Sequence, residues 1–156
     1  EKLNDWYNQP VPIIPNHLNE AAYNVVMLLQ GDAGQRALAA WAMGWDSAVG
    51  ASGNTWQAPI LAELLDDPYP AVRFIAARSL KGFKPFGNLA YDFVGDPAAL
   101  TKAQHDVRTR WHEEYGRNQS TGRPATLTAG GGLGRMQDAL QRMLMRRDDR
   151  PMILAE

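Results

Sequence analysis

Asp67-Pro68-Tyr69-Pro70-Ala71-Val72-Arg73-Phe74-Ile75-Ala76-Ala77-Arg78-Ser79-Leu80 is the stretch on which the fold turns. Asp66-Asp67-Pro68 stops whatever helix precedes it. Pro70 then opens a new one at no cost, because a first-turn amide has no intrahelical acceptor to lose. Lys81 before Gly82 ends it. Between those marks Val72, Ile75, Ala76, Ser79 and Leu80 recur at three- and four-residue steps, so the spacing predicts an amphipathic helix over 70–81 with that set facing inward.

Moved back by 37 positions, the stretch meets a copy of itself: Arg73 falls on Arg36, Ala76 on Ala39, Ala77 on Ala40, Leu80 on Met43 and Leu65 on Leu28. The breaks coincide too, Pro68-Tyr69 against Gly31-Asp32. A two-helix unit repeating at this period is the signature of an α-solenoid, because one helical hairpin cannot bury both its faces and stacks on a neighbour. The alanine pairs let adjacent helices approach closely.

Outward from the repeat the chain reads as helix throughout. Residues 1–18, with Pro10, Pro12 and Pro15, form an extended arm, since proline at that density excludes helix and central strand. The repeats occupy 19–82. Asn16 or Asn19 caps a helix bearing Leu18, Ala21, Ala22, Val25, Leu28 and Leu29. A second helix, about 33–44, turns Ala37, Leu38, Ala40 and Trp41 inward. Residues 46–54 read as loop, and a third helix spans about 55–65 with Ile60, Leu61, Leu64 and Leu65 inside. Residues 83–156 hold an irregular stretch to 95, then a helix about 97–115, capped by Asp96 and striped by Leu100, Ala103, Val107, Trp111 and Tyr115. A Gly-rich loop covers 116–132. A last helix near 133–147 buries Met136, Leu140, Met143 and Leu144. The expected fold is all-α: about two helical-hairpin repeats, an arm over one end, and two C-terminal helices capping the other.

Composition narrows the function. The 156 residues carry 16 Lys+Arg against 17 Asp+Glu, a net charge of −1, which removes the electrostatic case for a nucleic-acid binder. Without Cys there is no disulfide, thiolate zinc site, thiol nucleophile or c-type haem attachment in these residues. The aliphatic run Val25-Val26-Met27-Leu28-Leu29 is too short to span a bilayer. Opening on Glu1 without a leader, the sequence reads as a processed or excised piece.

The Asp-Pro turn, the Val72-Arg73 pair, Ala76-Ala77 and the closing Leu80 resemble the second helix of a HEAT repeat. Gly31 to Ala40 is a looser copy, with Gln35 where Val is expected. Tetratricopeptide repeats are the nearest rival, and the Asp-Pro turn and Val-Arg pair argue against them. The resemblance implies that Arg36 and Arg73 are structural ladder residues, with Asp32, Asp66 or Asp67 as partners. A second likeness covers the run from Arg36 to Trp45, the segment Trp56-Gln57-Ala58-Pro59, the Asp67-to-Arg73 unit and the C-terminal tail, Arg146 to Pro151 and Leu154 to Glu156. These are similar to haem-free C-terminal regions of bacterial multihaem c-type cytochromes. That likeness implies a periplasmic or exported parent with its haem groups upstream, and no cofactor in this piece.

No catalytic constellation emerges. His105 and His112 share a helix face but lie roughly 10 Å apart along the axis, too far for one ion. His17 falls in a capping segment. Asp66-Asp67, Glu113-Glu114 and Asp148-Asp149 read as turn or surface carboxylates, because adjacent helical residues diverge and aspartate breaks helices. Gly130-Gly131-Gly132-Leu133-Gly134 lacks the Lys-Ser/Thr of a phosphate loop. Of the aromatics, Trp41 is expected in the core, where truncation would cost about 3–5 kcal/mol. Met136, Met143 and Met145 are expected to fill a helix interface. Trp45 and Trp56 flank the 46–54 loop and, with Tyr69, are the residues expected to meet a protein partner or an adjoining domain. The expectation is a non-catalytic docking module. The alternatives are the electron-transfer tail of a multihaem cytochrome, or a HEAT-like enzyme such as an alkylpurine DNA glycosylase or bilin lyase. The charge balance weighs against the glycosylase.

Overall fold

The computed structural model describes residues 21–116, 126–127 and 132–151. Among these the protein is all-helical, with seven helices and no strand: α1 (Tyr23–Gln30), α2 (Ala33–Met43), α3 (Asp46–Ser52), α4 (Gln57–Ala62), α5 (Pro70–Leu80), α6 (Pro97–Tyr115) and α7 (Gly132–Leu144). The arm expected at 1–18, His17, most of the Gly-rich loop and the last five residues lie outside the described residues.

Sequence signals set the helix ends closely where a cap or proline stands guard. Asp32 closes a capping box on α2: its carboxylate accepts from Gln35 N at 2.8 Å, and Gln35 Oε1 accepts from Asp32 N at 3.1 Å. Asp96 caps α6 by accepting from Ala99 N, and Pro70 and Pro97 sit in the first turns of α5 and α6. Helices α2 and α5 each contain 11 residues and start 37 positions apart.

α1 and α2 pack as one hairpin and α4 and α5 as another; α2 then lies along α5 in the most extensive helix contact of the molecule. The two run parallel. Arg36, in the first turn of α2, reaches Asp67 just ahead of α5, while Gly44 at the end of α2 meets Ser79 at the end of α5. A Cβ added at Gly44 would lie 2.8 Å from Ser79 Oγ and 3.0 Å from its Cβ. The seam is lined by Ala39, Ala40, Ala76 and Ala77, all buried. Behind this layer α6 packs on α4, and α7 packs on α1. The C-terminal helices therefore back both hairpins, where the sequence suggested that they close one end. Trp111 is buried in α6 and donates from Nε1 to Thr55 O at 2.6 Å, fastening α6 to the entry of α4. The irregular residues 83–95 run beside α5, held by Arg73 Nε donating to Phe93 O at 2.7 Å and by the Tyr91 hydroxyl donating to Leu65 O.

Several sequence readings need correction. Residues 46–52 are helical; α3 is invisible to period because none of its residues is buried, so no apolar repeat marks it. The third helix ends at Ala62 and continues as turns to Asp66, and the last ends at Leu144. α1 begins at Tyr23 after Ala22, well inside the expected start. Leu38 and Trp41, placed in the core by period, are 54% and 48% exposed. Helix α2 is apolar around most of its circumference, and its inner face is taken by Ala33, Arg36, Ala39, Ala40 and Met43. Met136 and Met143 are buried, but Met145 is exposed.

Candidate functional site

Arg36 is the most connected side chain among the described residues. It is fully buried, as is its partner Asp67. Nε donates to Asp67 Oδ2 at 2.8 Å and Nη2 to Oδ1 at 3.1 Å, the two-pronged geometry for which a guanidinium is shaped. Nη1 donates to Gly31 O at 2.7 Å and to Asp148 O at 2.9 Å. The guanidinium carbon lies 5.8 Å from the centre of the Tyr69 ring. One residue thus ties the turn of the first hairpin, the turn of the second and the C-terminal tail. The tail is held further by Asp148 N donating to Gln30 O at 2.9 Å, by the Tyr69 hydroxyl donating to Arg150 O at 3.3 Å, and by Arg147 Nη1, 3.9 Å from Asp67 Oδ2. Arg150 clasps Asp148 and holds that carboxyl down to about 2.

The other residues singled out by sequence fare differently. Arg73 donates to two carbonyls, Asp67 O and Phe93 O, both at 2.7 Å, and among the described residues meets no carboxylate. Asp32 caps its own helix and makes no bond to Arg36. Asp66 accepts from Gln104 Nε2 at 3.2 Å. Tyr69 is half-buried under Arg36, and its amide donates to Asp67 Oδ1 at 2.9 Å. Trp56 is also half-buried, its Nε1 donating to Ser52 O at 3.2 Å. Of the three expected partner contacts, Tyr69 and Trp56 are therefore occupied internally, and Trp45 stands out at 44% exposure.

Trp45 is not alone. Its ring meets Trp41 edge to face, centroids 4.7 Å apart, an arrangement favoured by the aromatic quadrupole. Leu38, one turn earlier on the same side of α2, and Phe74, on the outward side of α5, are exposed as well. Phe74 packs edge to face on Phe93 at 5.2 Å, and Val94 beside it is exposed. Five of the seven large hydrophobic side chains exposed among the described residues belong to α2, the residue just after its cap, α5, or the segment held against α5. Isolated surface hydrophobics are ordinary; here they are concentrated on one helical layer.

A second cluster carries no local signature in the sequence. Glu63 is buried, and burial pushes its carboxyl up, partly offset by Arg108. Arg108 Nη1 donates to Glu63 Oε1 at 3.1 Å, and Gln104 Nε2 donates to Oε2 at 3.2 Å. Beside them lies a cavity of about 330 Å³ bounded by Glu63, Arg108, Gln137, Asp138, Leu140 and Gln141. The readable signal is a single carboxylate inside Ile60-Leu61-Ala62-Glu63-Leu64-Leu65; its partner lies 45 residues away, beyond any local pattern. The cavity lining holds two carboxylates, Glu63 and Asp138, and Glu63 is paired with Arg108.

His105 is exposed and meets only Thr109 at 3.4 Å. Among the described residues no group of three His, Asp or Glu side chains converges as metal ligands, and no helix is long and apolar enough to cross a membrane. Set against known proteins, the chain matches no family model, no curated protein and no solved structure.

Proposed function

We propose that this chain is a non-catalytic docking module built as a HEAT-like α-solenoid of two hairpin repeats, which meets a protein partner or adjoining domain through the outer face of α2 and α5. The repeat reading draws support from the equal lengths and parallel packing of α2 and α5, and from the Arg36–Asp67 clasp that joins the start of one unit to the next. The observation that carries the docking role is the Trp41–Trp45 pair, half-exposed on a helix whose interior needs are met by alanines and Arg36. Tryptophans with free area are the commonest energetic anchors of interfaces. Arg36 is engaged with Asp67 and with main-chain carbonyls, and Glu63 with Arg108 Nη1, while Arg108 Nε and Gln30 Nε2 are buried without a hydrogen-bond partner among the described residues. The electron-transfer alternative rests on sequence resemblance alone.

The test is site-specific photocrosslinking in the native host. A benzophenone side chain at position 41 or 45 is expected to yield a discrete protein adduct, and one at Asp106, on the exposed side of α6, is expected to yield none. Adducts absent from 41 and 45 but present at 106 would move the function off this face.

A further inference from the structure

The chemistry of this face narrows its partner, on the docking reading just given. Neither α2 nor α5 contains an Asp or Glu. Their first-turn arginines are turned inward: Arg36 is fully buried, and Arg73 is spent on carbonyls. What remains outward is Arg78 on α5, Lys81 at its cap and Lys84 just beyond, all exposed. None of the three side chains has a hydrogen bond or ion pair among the described residues, whereas Lys102, Arg147 and Arg150 each hold an aspartate. In the 37-residue register Arg78 occupies in α5 the place of Trp41 in α2. Because the helices run parallel and side by side, the shared register sets Arg78 on the same outward side as Trp41. The carboxylates nearest in sequence are Asp46, after Trp45 in the first turn of α3, and Asp92, whose Oδ1 accepts from Val94 N at 3.0 Å.

We infer that the face receives an acidic amphipathic segment of another protein. Its aliphatic or aromatic side chains would rest against Leu38, Trp41, Trp45 and Phe74, and its carboxylates would meet Arg78, Lys81 and Lys84. An anionic bilayer shares the charge preference. Polybasic membrane contacts, however, use clusters of about four to eight cations, each contributing about 1 kcal/mol, and this face offers fewer on a chain of net charge −1. Complementary rim charge also steers encounter between proteins, a use for cations that no described carboxylate engages.

Selection of a random peptide display library on the immobilised full chain tests the inference. Enriched peptides are expected to pair aromatic or aliphatic residues with an excess of Asp and Glu. A synthetic peptide of the enriched sequence should bind in a titration followed by tryptophan fluorescence and weaken with added salt. It should lose about tenfold affinity to R78E/K81E, where two attractive pairs become repulsive, and bind W41A/W45A least. Circular dichroism of both variants checks that each is folded. Enriched peptides that carry no acidic excess, or that are lost to W41A/W45A but indifferent to R78E/K81E, would overturn the acidic partner and leave the docking face standing. No enrichment, or attachment only to phosphatidylglycerol vesicles, would overturn both.

Discussion

Arg36 and Arg73 occupy the same place in successive hairpins, yet one is clamped on a carboxylate and the other on two carbonyls. The difference lies in the next stretch of chain that each can reach. Asp67 stands 31 positions after Arg36, in the turn that opens α5. The same spacing from Arg73 falls on Gln104, in the middle of α6, where it bonds Glu63 and Asp66. An arginine ladder needs a next turn to supply its acid. Where the chain changes from short hairpins to the 19-residue α6, no carboxylate stands at that spacing and main-chain oxygens accept from Arg73 instead.

Breaking the first rung should therefore hurt far more than breaking the second. Arg36→Met leaves Asp67 charged and buried, and is expected to cost about 3–5 kcal/mol in urea unfolding. Arg73→Met loses two bonds to carbonyls and should cost about 1–3 kcal/mol. R36M/D67L, which removes both charges, should recover most of the loss; equal penalties for Arg36→Met and Arg73→Met would erase the distinction.

The end of each helix offers the next contrast. Gly44 and Lys81 are in register, but a methyl group at Gly44 would collide with Ser79, while Lys81 faces solvent. Gly44→Ala is expected to destabilise by about 1–3 kcal/mol, since overpacking forces neighbours off their minima. Lys81→Ala should stay within about 0.5 kcal/mol. If Gly44→Ala proves neutral by thermal denaturation, α2 and α5 are not in close contact at that end.

On the outer face the register sets Trp41 against Arg78. Half-exposed Trp41 should cost only about 1–2 kcal/mol on truncation to Ala, below the range for a buried tryptophan. Arg78→Ala should be close to neutral. A loss of about 3 kcal/mol or more at Trp41 would show that the ring is structural.

The smallest effect expected is a pH slope confined to the second hairpin. Glu63 holds the place of buried Val26 in the first. Burial raises the folded pKa of Glu63 above its ordinary value of 4.5. Between those two values the native state binds more protons than the unfolded chain, so stability falls as pH rises from about 4.5 through the folded value. Glu63→Gln should flatten that part of a stability–pH curve; an unchanged slope would assign it to other groups.

These contrasts show what the sequence could reveal. Helices α2, α5 and α6 are legible because Asp32, Pro70 and Asp96-Pro97 mark their starts chemically, and the register between α2 and α5 is legible from repeated residues. Orientation is harder. In α2 the alanines, Leu38 and Trp41 are all apolar, so period alone cannot say that the small residues face in and the large ones out. That ambiguity hides most of the exposed apolar face: Trp45 stands out in sequence only for flanking a loop, while period sends Trp41 and Leu38 to the core. Short α3 has no fully buried residue, only Val49 partly packed on the core, and leaves no pattern. The Glu63–Arg108 pair joins residues far apart in sequence, and only the tertiary fold brings them together.

Both the repeat and its outer face depend on α2 and α5 nesting along their small-residue edge, and the absence of cysteine makes that directly measurable. Cysteines at Gly44 and Ser79 would place their Cβ atoms about 3.0 Å apart, slightly inside the usual disulfide range of about 3.5–4.5 Å. G44C/S79C should oxidise in air to an intramolecular disulfide, seen as a reductant-sensitive shift on a denaturing gel that neither single variant shows. A double variant that keeps two free thiols under mild oxidant while remaining folded would contradict the packing.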